Sequence, residues 1–417
     1  NNQNEIINNL TILCNAYETW IKSQSDLGQG NDFSSQNVQK CKNINERIKV
    51  GIELLRTNKN ALRAFQLANT AIYVQMFNNE KYFNSKKDGY EAWEQNEFLP
   101  MSYNEYEKAV YPNKNRVPSW RPFQLAVILQ CLPSFIEDKS PDKDLVDLLY
   151  FPTGGGKTEA YLAVSAFLIF WRRLQYPKEY GGVNIIIRYT LRLLSAQQFE
   201  RASKLILACE FIRQNQHDLG DKKITIGFWV GDSTIPNDII KAQKLLNNTN
   251  ERLNKGLSSI NPFQVSNCQW CNTKMIGRLS ANQPQSIGHR INSKKELFSF
   301  CPNPKCHFSQ DKNGLPIVLV DEDIYKNPPT MLFATVDKFA QLAWKEEATA
   351  LFNHGQDRKP ELIIQDELHL LSGPLGSLVG LFENVLLSLC ANEKQKPKII
   401  ASTATIKNID KQIEGLY

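Results

Sequence analysis

The sequence lacks any apolar run as long as the roughly 18 to 20 residues that a membrane-spanning helix needs. It also lacks a recognisable signal peptide and does not begin with Met, so we expect a piece of a longer protein without a membrane anchor. Strong charge imbalance is absent as well, because 49 Lys and Arg residues face 43 Asp and Glu residues. The net charge of +6 gives only weak support for a polyanionic partner.

Cysteine is sparse outside one region. Four of the nine cysteines form two close pairs, Cys268 with Cys271 and Cys301 with Cys306. An odd total with one paired cluster favours a metal site in a reducing cytoplasm over a framework of disulfides. We predict free thiols at the five scattered positions: Cys14, Cys41, Cys131, Cys209 and Cys390.

The hydrophobic pattern divides the chain into two regions. Residues 1–115 show apolar residues at helical spacing, interrupted by a Gly-, Ser- and Asn-rich stretch from Leu27 to Gln39 that predicts a loop. Residues 116–417 alternate strand and helix, which predicts a doubly wound parallel α/β sheet. A segment at 233–320 interrupts this alternation and contains the paired cysteines. The predicted strands are Leu145–Tyr150, Val183–Arg188, Ile224–Val230, Pro329–Ala334, Glu361–Gln365 and Lys398–Ser402.

A glycine-rich loop, Phe151–Glu159, lies between the first predicted strand and the helix-like run Ala160–Trp171. Backbone N–H groups of such a loop bind phosphate oxygens, and the helix that follows adds the positive end of its dipole. Lys157 is predicted to reach the β- and γ-phosphates and Thr158 to hold Mg²⁺. The strict pattern has a glycine where this chain has Phe151, so the loop is a variant.

Further polar groups follow other predicted strands. Asp366 and Glu367 come directly after an apolar strand, where the first carboxylate would hold Mg²⁺ and the second would orient or deprotonate water. Hydroxyl residues end the last strand at Ser402–Thr405. Upstream of the loop, the Gln124 amide offers a donor and an acceptor that suit the edge of adenine.

Together these motifs resemble those of superfamily 2 helicases in type and order. Arg121–Gln124 resembles the motif whose glutamine, here Gln124, reads adenine, and Asp366–His369 resembles a DEAH box with Leu368 in place of alanine. Pro152–Thr158 resembles motif I, which implies nucleotide binding by Thr153, Gly154, Gly155, Gly156, Lys157 and Thr158. The resemblance implies a RecA-like, ATP-driven motor on nucleic acid, with Lys157, Asp366 and Glu367 as catalytic residues. It also implies coupling residues, His369, Thr403 and Thr405, and nucleic-acid contacts, Thr190, Arg192 and Gln197 in motif Ia and Thr335 and Lys338 in motif Ib. Arg188 and Arg201 are further basic residues near predicted strand ends that could bind phosphates.

The amino-acid sequences of several segments resemble those of the DrmA family, the helicases of the DISARM antiphage defence system. These segments are Ala64–Asn69, Phe151–Leu162, Arg188–Arg201 and Gln365–Gly376. This resemblance implies a bacterial cytoplasmic protein, foreign DNA as the target and a DrmB-type partner subunit.

The paired cysteines have the spacing of two metal-binding knuckles. Cys268 and Cys271 are separated by two residues and Cys301 and Cys306 by four, which predicts a zinc-ribbon-like module with structural Zn²⁺. His307 could replace Cys306, and a four-cysteine iron–sulfur cluster is an alternative to zinc.

A superfamily 2 motor needs a second RecA-like domain, which supplies an arginine finger across the ATP cleft. Only twelve residues follow Thr405, so we expect the N-terminal region and the first motor domain only. This chain should then bind ATP weakly and turn it over poorly by itself. The alternatives are an ATP-gated clamp for DNA or a partner without unwinding activity, or an RNA helicase.

Overall fold

The computed structural model describes residues 3–27, 32–85, 101–113, 117–152, 154–189, 192–231, 235–257, 259–277, 285–353, 358–371, 373–393 and 395–404, with residues 413, 415 and 416. Its first part is helical, as the sequence predicts. The helices are α1 (Gln3–Leu27), α2 (Asp32–Thr57), α3 (Lys59–Ser85) and α4 (Tyr103–Lys108). The predicted loop from Leu27 to Gln39 is wrong in its second half, because Asp32 already begins α2.

A parallel sheet with helices between its strands follows. The chain order is α5 (Pro122–Ile136), β1 (Val146–Tyr150), α6 (Lys157–Gln175), β2 (Ile185–Tyr189), α7 (Arg192–Gln214), β3 (Ile226–Trp229), α8 (Ile239–Asn254), β4 (Ile276–Gly277), β5 (Ser286–Ile287), β6 (His289–Ile291), β7 (Leu297–Ser299), β8 (Ile317–Val318), α9 (Asp321–Lys326), β9 (Met331–Thr335), β10 (Leu362–Gln365), α10 (Gly373–Leu389) and β11 (Lys398–Thr403). All six predicted strands are present, and among the described helices none is both long and apolar enough to span a lipid bilayer.

The main sheet has seven strands in the order β1-β11-β10-β2-β9-β3-β8, and every neighbouring pair is parallel. Residues of β2, β9, β10 and β11 are buried throughout, as expected for strands covered by helices on both faces. β8 escapes sequence prediction because only two of its residues pair. The carboxyl ends of β1, β10 and β2 therefore meet at one edge, where α/β proteins bind ligands.

The N-terminal helices share the hydrophobic core of the sheet domain, which runs from Ile7 to Ile400. α2 packs along α5, and α3 packs along α6 and α7. Gly51 permits this close approach, since a Cβ at that position would lie 2.1 Å from the carbonyl oxygen of Leu129.

A buried ion cluster fixes α2 to the edge of the sheet. Arg47 forms ion pairs with Asp147 at 2.7 Å and with Asp142 at 2.8 Å, and Lys398 lies 2.9 Å from Asp147. Burial opposes ionisation of Asp147, but the hydrogen bonds and charges of Arg47 and Lys398 outweigh it, and the Asp147 pKa is lowered. The helical region and the sheet thus form one packed unit, and the boundary at residue 115 remains a prediction.

Candidate functional site

A glycine loop joins β1 to α6 at the carboxyl end of the sheet. Gly154 and Gly156 have φ angles of 77° and 94°, in the left-handed region that residues with a Cβ rarely adopt. A Cβ built on Gly154 meets nothing within 4 Å, so the loop faces open space on that side. The loop can therefore wrap around a phosphate in front of the N-terminus of α6. Thr153, assigned to the same loop, lies outside the described residues.

The Lys157 side chain folds back over this loop. Its Nζ donates a hydrogen bond to the Phe151 carbonyl at 2.5 Å, and the residue is largely buried. Arg201 donates to the Thr158 hydroxyl at 3.3 Å and pairs with Glu159. Arg201 is therefore engaged by the first turn of α6 in this structure, rather than held out towards DNA.

Phe151, which departs from the strict loop pattern, packs against the loop. Its ring stacks on Phe123 with centroids 4.3 Å apart. A Cβ built on Gly155 would lie 2.3 Å from the Phe151 ring and 2.9 Å from the Pro152 carbonyl oxygen. The aromatic residue thus leaves room only for glycine at position 155.

Gln124 braces the loop from the start of α5. Its Nε2 donates to the Gly156 carbonyl at 2.9 Å, and its Oε1 accepts from the Arg121 N–H at 2.9 Å. Arg121 also donates to the Gly155 carbonyl at 2.6 Å. The structure places Gln124 beside the loop as the motif requires, and its contact with adenine stays a prediction.

The acidic pair lies two strands from β1, directly after β10. Asp366 is buried and accepts hydrogen bonds on Oδ2 from the hydroxyls of Tyr161, at 2.8 Å, and Tyr189. Its Oδ1 accepts from the Glu367 N–H at 2.9 Å. Glu367 has a φ of 51°, a left-handed conformation that is uncommon outside glycine and indicates a turn imposed by its surroundings.

The phosphate loop and the acidic pair come together in space. Burial raises the pKa of Glu367, the charge of Asp366 raises it further, and the charges of His369 and Lys157 partly offset these effects. Tyr161, one turn after Lys157 on α6, donates to Asp366 at 2.8 Å, so the start of this helix lies next to the acidic pair. A raised carboxyl pKa at a polar cleft suits a group that accepts a proton.

The predicted coupling residues also meet at this edge. His369 Nδ1 lies 3.2 Å from Thr403 Oγ1 and 3.3 Å from Glu367 Oε2. The Thr403 carbonyl accepts the Phe151 N–H at 3.3 Å, which joins β11 to the start of the loop. Thr405 lies outside the described residues.

Two predicted nucleic-acid contacts are not at the surface. Thr335 and Lys338 are 0% and 1% exposed. Lys338 pairs with Asp321 at 2.7 Å and donates to Asn237 at 3.1 Å. A side chain must be accessible to contact a phosphate. In this conformation the structure therefore argues against direct contacts of Thr335 and Lys338 with the phosphate backbone of a nucleic acid.

The other predicted contacts lie near the start of α7. Thr190 is outside the described residues, as is the side chain of Arg192, the first residue of α7, whereas Gln197 is exposed on that helix. Arg188 is buried and forms a two-fold ion pair with Glu383, at 2.6 and 3.1 Å. Arg188 therefore has a structural partner at the place where we predicted a phosphate contact.

Sequence analysis missed Tyr161 and Tyr189. Tyr161 comes one helical turn after Lys157 and so shares its face of α6. Tyr189 ends β2, the neighbour of β10, in a register that pairs Arg188 with Gln365. A polar aromatic residue one turn after the loop is a signal that could have identified Tyr161.

The four paired cysteines form one buried cluster in the segment after α8. Their sulfur atoms all lie within 4.8 Å of one another, with 3.9 Å between Cys268 and Cys306 and 3.5 Å between Cys271 and Cys301. Tight turns shape both knuckles: the Asn272 N–H bonds the Cys268 carbonyl, and the Cys306 N–H bonds the Asn303 carbonyl. The cluster can hold a metal ion.

The surroundings select Cys306 rather than His307 as the fourth ligand. His307 Nε2 is hydrogen bonded to Gln214 Oε1 at 2.6 Å, and its ring packs against Phe211. Burial raises the pKa of the Cys301 and Cys306 thiols. Burial also acts to raise the Cys271 pKa, but hydrogen bonds from the other three cysteines and Thr273 outweigh it and lower that pKa. A bound cation would favour the thiolate form of all four. The donor set therefore fits a thiolate-bound metal.

The parallel sheet, the glycine loop after β1 and the acidic pair after β10 define an α/β domain of the RecA-like type found in superfamily 2 helicases.

Comparison with known sequences gives the family. The DISARM protein DrmA of Bacillus paralicheniformis is 36% identical over 464 residues, which cover 100% of this chain and 39% of the relative. The chain therefore belongs to the DrmA family and spans about two fifths of that relative's length. No family model matches the chain.

Solved structures show more distant likeness. The DUF1998 helicase MrfA has 14% identity and a TM-score of 0.39, with 73% of this chain and 29% of MrfA covered. The helicase Lhr of Mycobacterium smegmatis, solved with single-stranded DNA and AMP-PNP, has 15% identity and a TM-score of 0.35, covering 69% of this chain and 25% of Lhr.

Proposed function

We propose that this chain is the N-terminal helical region and first motor domain of an ATP-dependent DNA helicase or translocase in a bacterial DISARM antiphage system. The observation that carries the proposal is the convergence of the glycine loop, the acidic pair and the His369–Thr403 contact at one edge of the sheet, joined by the Tyr161–Asp366 and Phe151–Thr403 hydrogen bonds. Membership of the DrmA family supports the defence role, foreign DNA as target, a DrmB-type partner subunit and a cytoplasmic location.

The residues at this edge fit a nucleoside triphosphate with Mg²⁺. The open side of Gly154 and the Lys157 ammonium suit the phosphates, and Thr158 and Asp366 would hold the metal ion. Bound Mg²⁺ neutralises charge on the transferred phosphoryl group. Glu367, with its raised pKa, would orient and deprotonate the attacking water.

In the cysteine cluster we propose structural Zn²⁺. One ion bound at about 2.3 Å by four sulfurs separates them by about 3.8 Å, close to the 3.9 Å between Cys268 and Cys306 and the 3.5 Å between Cys271 and Cys301. An iron–sulfur cluster contains several metal atoms, so the cysteine sulfur atoms that bind it lie farther apart. Elemental analysis and a visible spectrum test the assignment, because iron with visible absorption would overturn it.

The motor proposal is tested with the full-length protein. ATP hydrolysis is measured with single-stranded DNA, duplex DNA and RNA as competing stimulants, and strand displacement is measured in parallel. We expect DNA to stimulate hydrolysis and Lys157→Ala to abolish it. Stimulation by RNA alone would favour the RNA helicase alternative. ATP-dependent binding with little hydrolysis and no movement would favour the clamp.

A further inference from the structure

Two buried tyrosines surround the carboxylate that we assign to Mg²⁺. The hydroxyls of Tyr161 and Tyr189 both contact Asp366 Oδ2, and the two hydroxyl oxygens lie 2.9 Å apart. Each tyrosine is only 1% exposed. Buried hydroxyls of this kind are tied to a specific partner, because an unpaired one is costly.

The fold brings these groups together from three elements distant in sequence. Tyr161 lies in the second turn of α6, Tyr189 ends β2 and Asp366 follows β10. Parallel pairing of Arg188 with Gln365 sets the next residues of the two strands side by side, and the Asp366 N–H donates to the Arg188 carbonyl at 3.2 Å. The register between β2 and β10 therefore sets Tyr189 beside Asp366.

Both phenols are held in the form that donates hydrogen bonds. Burial raises their pKa values well above the usual range, and the neighbouring charge of Asp366 raises both further. Two protonated hydroxyls on Oδ2 and the Glu367 N–H on Oδ1 restrain both oxygens of the carboxylate. Asp366 therefore has little freedom to rotate.

Tyr161 links the carboxylate to the helix that follows the glycine loop. It lies three residues after Thr158, on the same face of α6. Its hydroxyl contacts both Asp366 and the Tyr189 hydroxyl.

We propose that Tyr161 and Tyr189 are positioning residues that hold Asp366 in the orientation that binds Mg²⁺ with the nucleotide. The inference rests on the proposed ATP-binding function. Groups that orient metal ligands typically contribute about 10- to 100-fold to metal affinity.

The test measures binding of a fluorescent ATP analogue by the full-length protein, in EDTA and across a range of Mg²⁺ concentrations, without reference to turnover. In the double variant Tyr161→Phe/Tyr189→Phe both rings stay and both hydroxyls are lost. We expect its half-saturating Mg²⁺ concentration to rise by about 10-fold or more, with affinity in EDTA unchanged. Loss of the electron paramagnetic resonance signal of free Mn²⁺ gives a second readout of metal binding.

Tyr325→Phe is the matched control, because this tyrosine also contacts a carboxylate, Asp321 at 3.3 Å, away from the nucleotide site. The single variants Tyr161→Phe and Tyr189→Phe, checked by thermal unfolding, should each show part of the effect if the double variant folds poorly. An unchanged Mg²⁺ dependence in folded variants would overturn the inference. A wild-type protein that binds no nucleotide with Mg²⁺ would instead overturn the proposed function.

Discussion

The proposed nucleotide site and the cysteine module both bring polar side chains together in buried surroundings, but they do so by different physical means. At the proposed nucleotide site, side chains from the ends of buried strands and from the start of α6 bond to one another, as Tyr189 and Tyr161 do with Asp366. In the cysteine module, the strands have only two or three residues, and turns bring the sulfur atoms of the four cysteines together.

This difference indicates which site should keep its folded structure when one of its side chains is removed. The sheet provides a scaffold whose stability comes from apolar burial, so its polar edge can lose a group without unfolding. The module has little regular structure, and a bound cation would stabilise its four thiolates and hold its turns together. We therefore expect loss of function at the first site and loss of structure at the second.

The largest effect is expected from Cys301→Ser, which removes one of the four sulfur ligands. Structural zinc in small domains contributes about 10–16 kcal/mol of binding free energy, so the module between Asn261 and Leu315 should unfold locally. Amide exchange there should become fast while β2 and β10 stay protected. Zinc content should fall well below one ion per chain.

Cys41→Ser is the control, because this half-buried free cysteine lies outside the module. It should retain the metal and the exchange pattern of the wild type. Full zinc content and unchanged protection in Cys301→Ser would show that the module does not depend on the ion, and the contrast between the two sites would fail.

The contrast also explains what could be predicted from sequence. The glycine loop, the acidic pair and the cysteine pairs are short motifs that depend on local backbone geometry, and the structure brings the loop near the acidic pair and the four cysteines near one another. Six strands were identifiable from apolar runs, and the seventh, β8, was too short to give a pattern.

Long-range packing decided what sequence could not show. Lys338 is buried because Asp321, at the end of the inserted segment, lies against it. Tyr189 reaches Asp366 only through the register of two strands that are 177 residues apart. A basic residue near a strand end looks the same in sequence whether its partner is a phosphate or a distant carboxylate.

An intermediate effect is expected from Gly155→Ala, which tests whether backbone shape alone sets the nucleotide site. The new Cβ meets the Phe151 ring and the Pro152 carbonyl oxygen, and the second contact forces the backbone to move. Overpacking costs about 1–3 kcal/mol, so affinity for a fluorescent nucleotide should fall by about 10- to 100-fold. The thermal transition of the sheet should change little.

Phe151→Ala/Gly155→Ala should recover part of this affinity, because the ring that meets the new Cβ is gone, and Phe151→Ala alone serves as its reference. Wild-type nucleotide binding in Gly155→Ala would mean that the loop tolerates a different shape. Unfolding of the whole domain would contradict the distinction between the two sites just as directly.

The smallest effect concerns the charges around Glu367. Because its pKa is raised, Glu367 ionises at a higher pH than an ordinary glutamate does. ATPase activity on the acidic side of the pH profile should therefore rise around this raised pKa. Protonated His369, 3.3 Å away, favours the carboxylate. His369→Gln removes that charge and should shift the acidic side of the pH profile to still higher pH by a fraction of a unit, whatever its effect on the maximal rate.

His217→Gln, at an exposed histidine in the turn after α7, is the control and should leave the pH profile unchanged. A pH profile that stays fixed or moves to lower pH in His369→Gln would show that the charges at this edge do not act on Glu367 as the geometry indicates. The nucleotide site would then depend less on its own internal contacts than the contrast with the cysteine module requires.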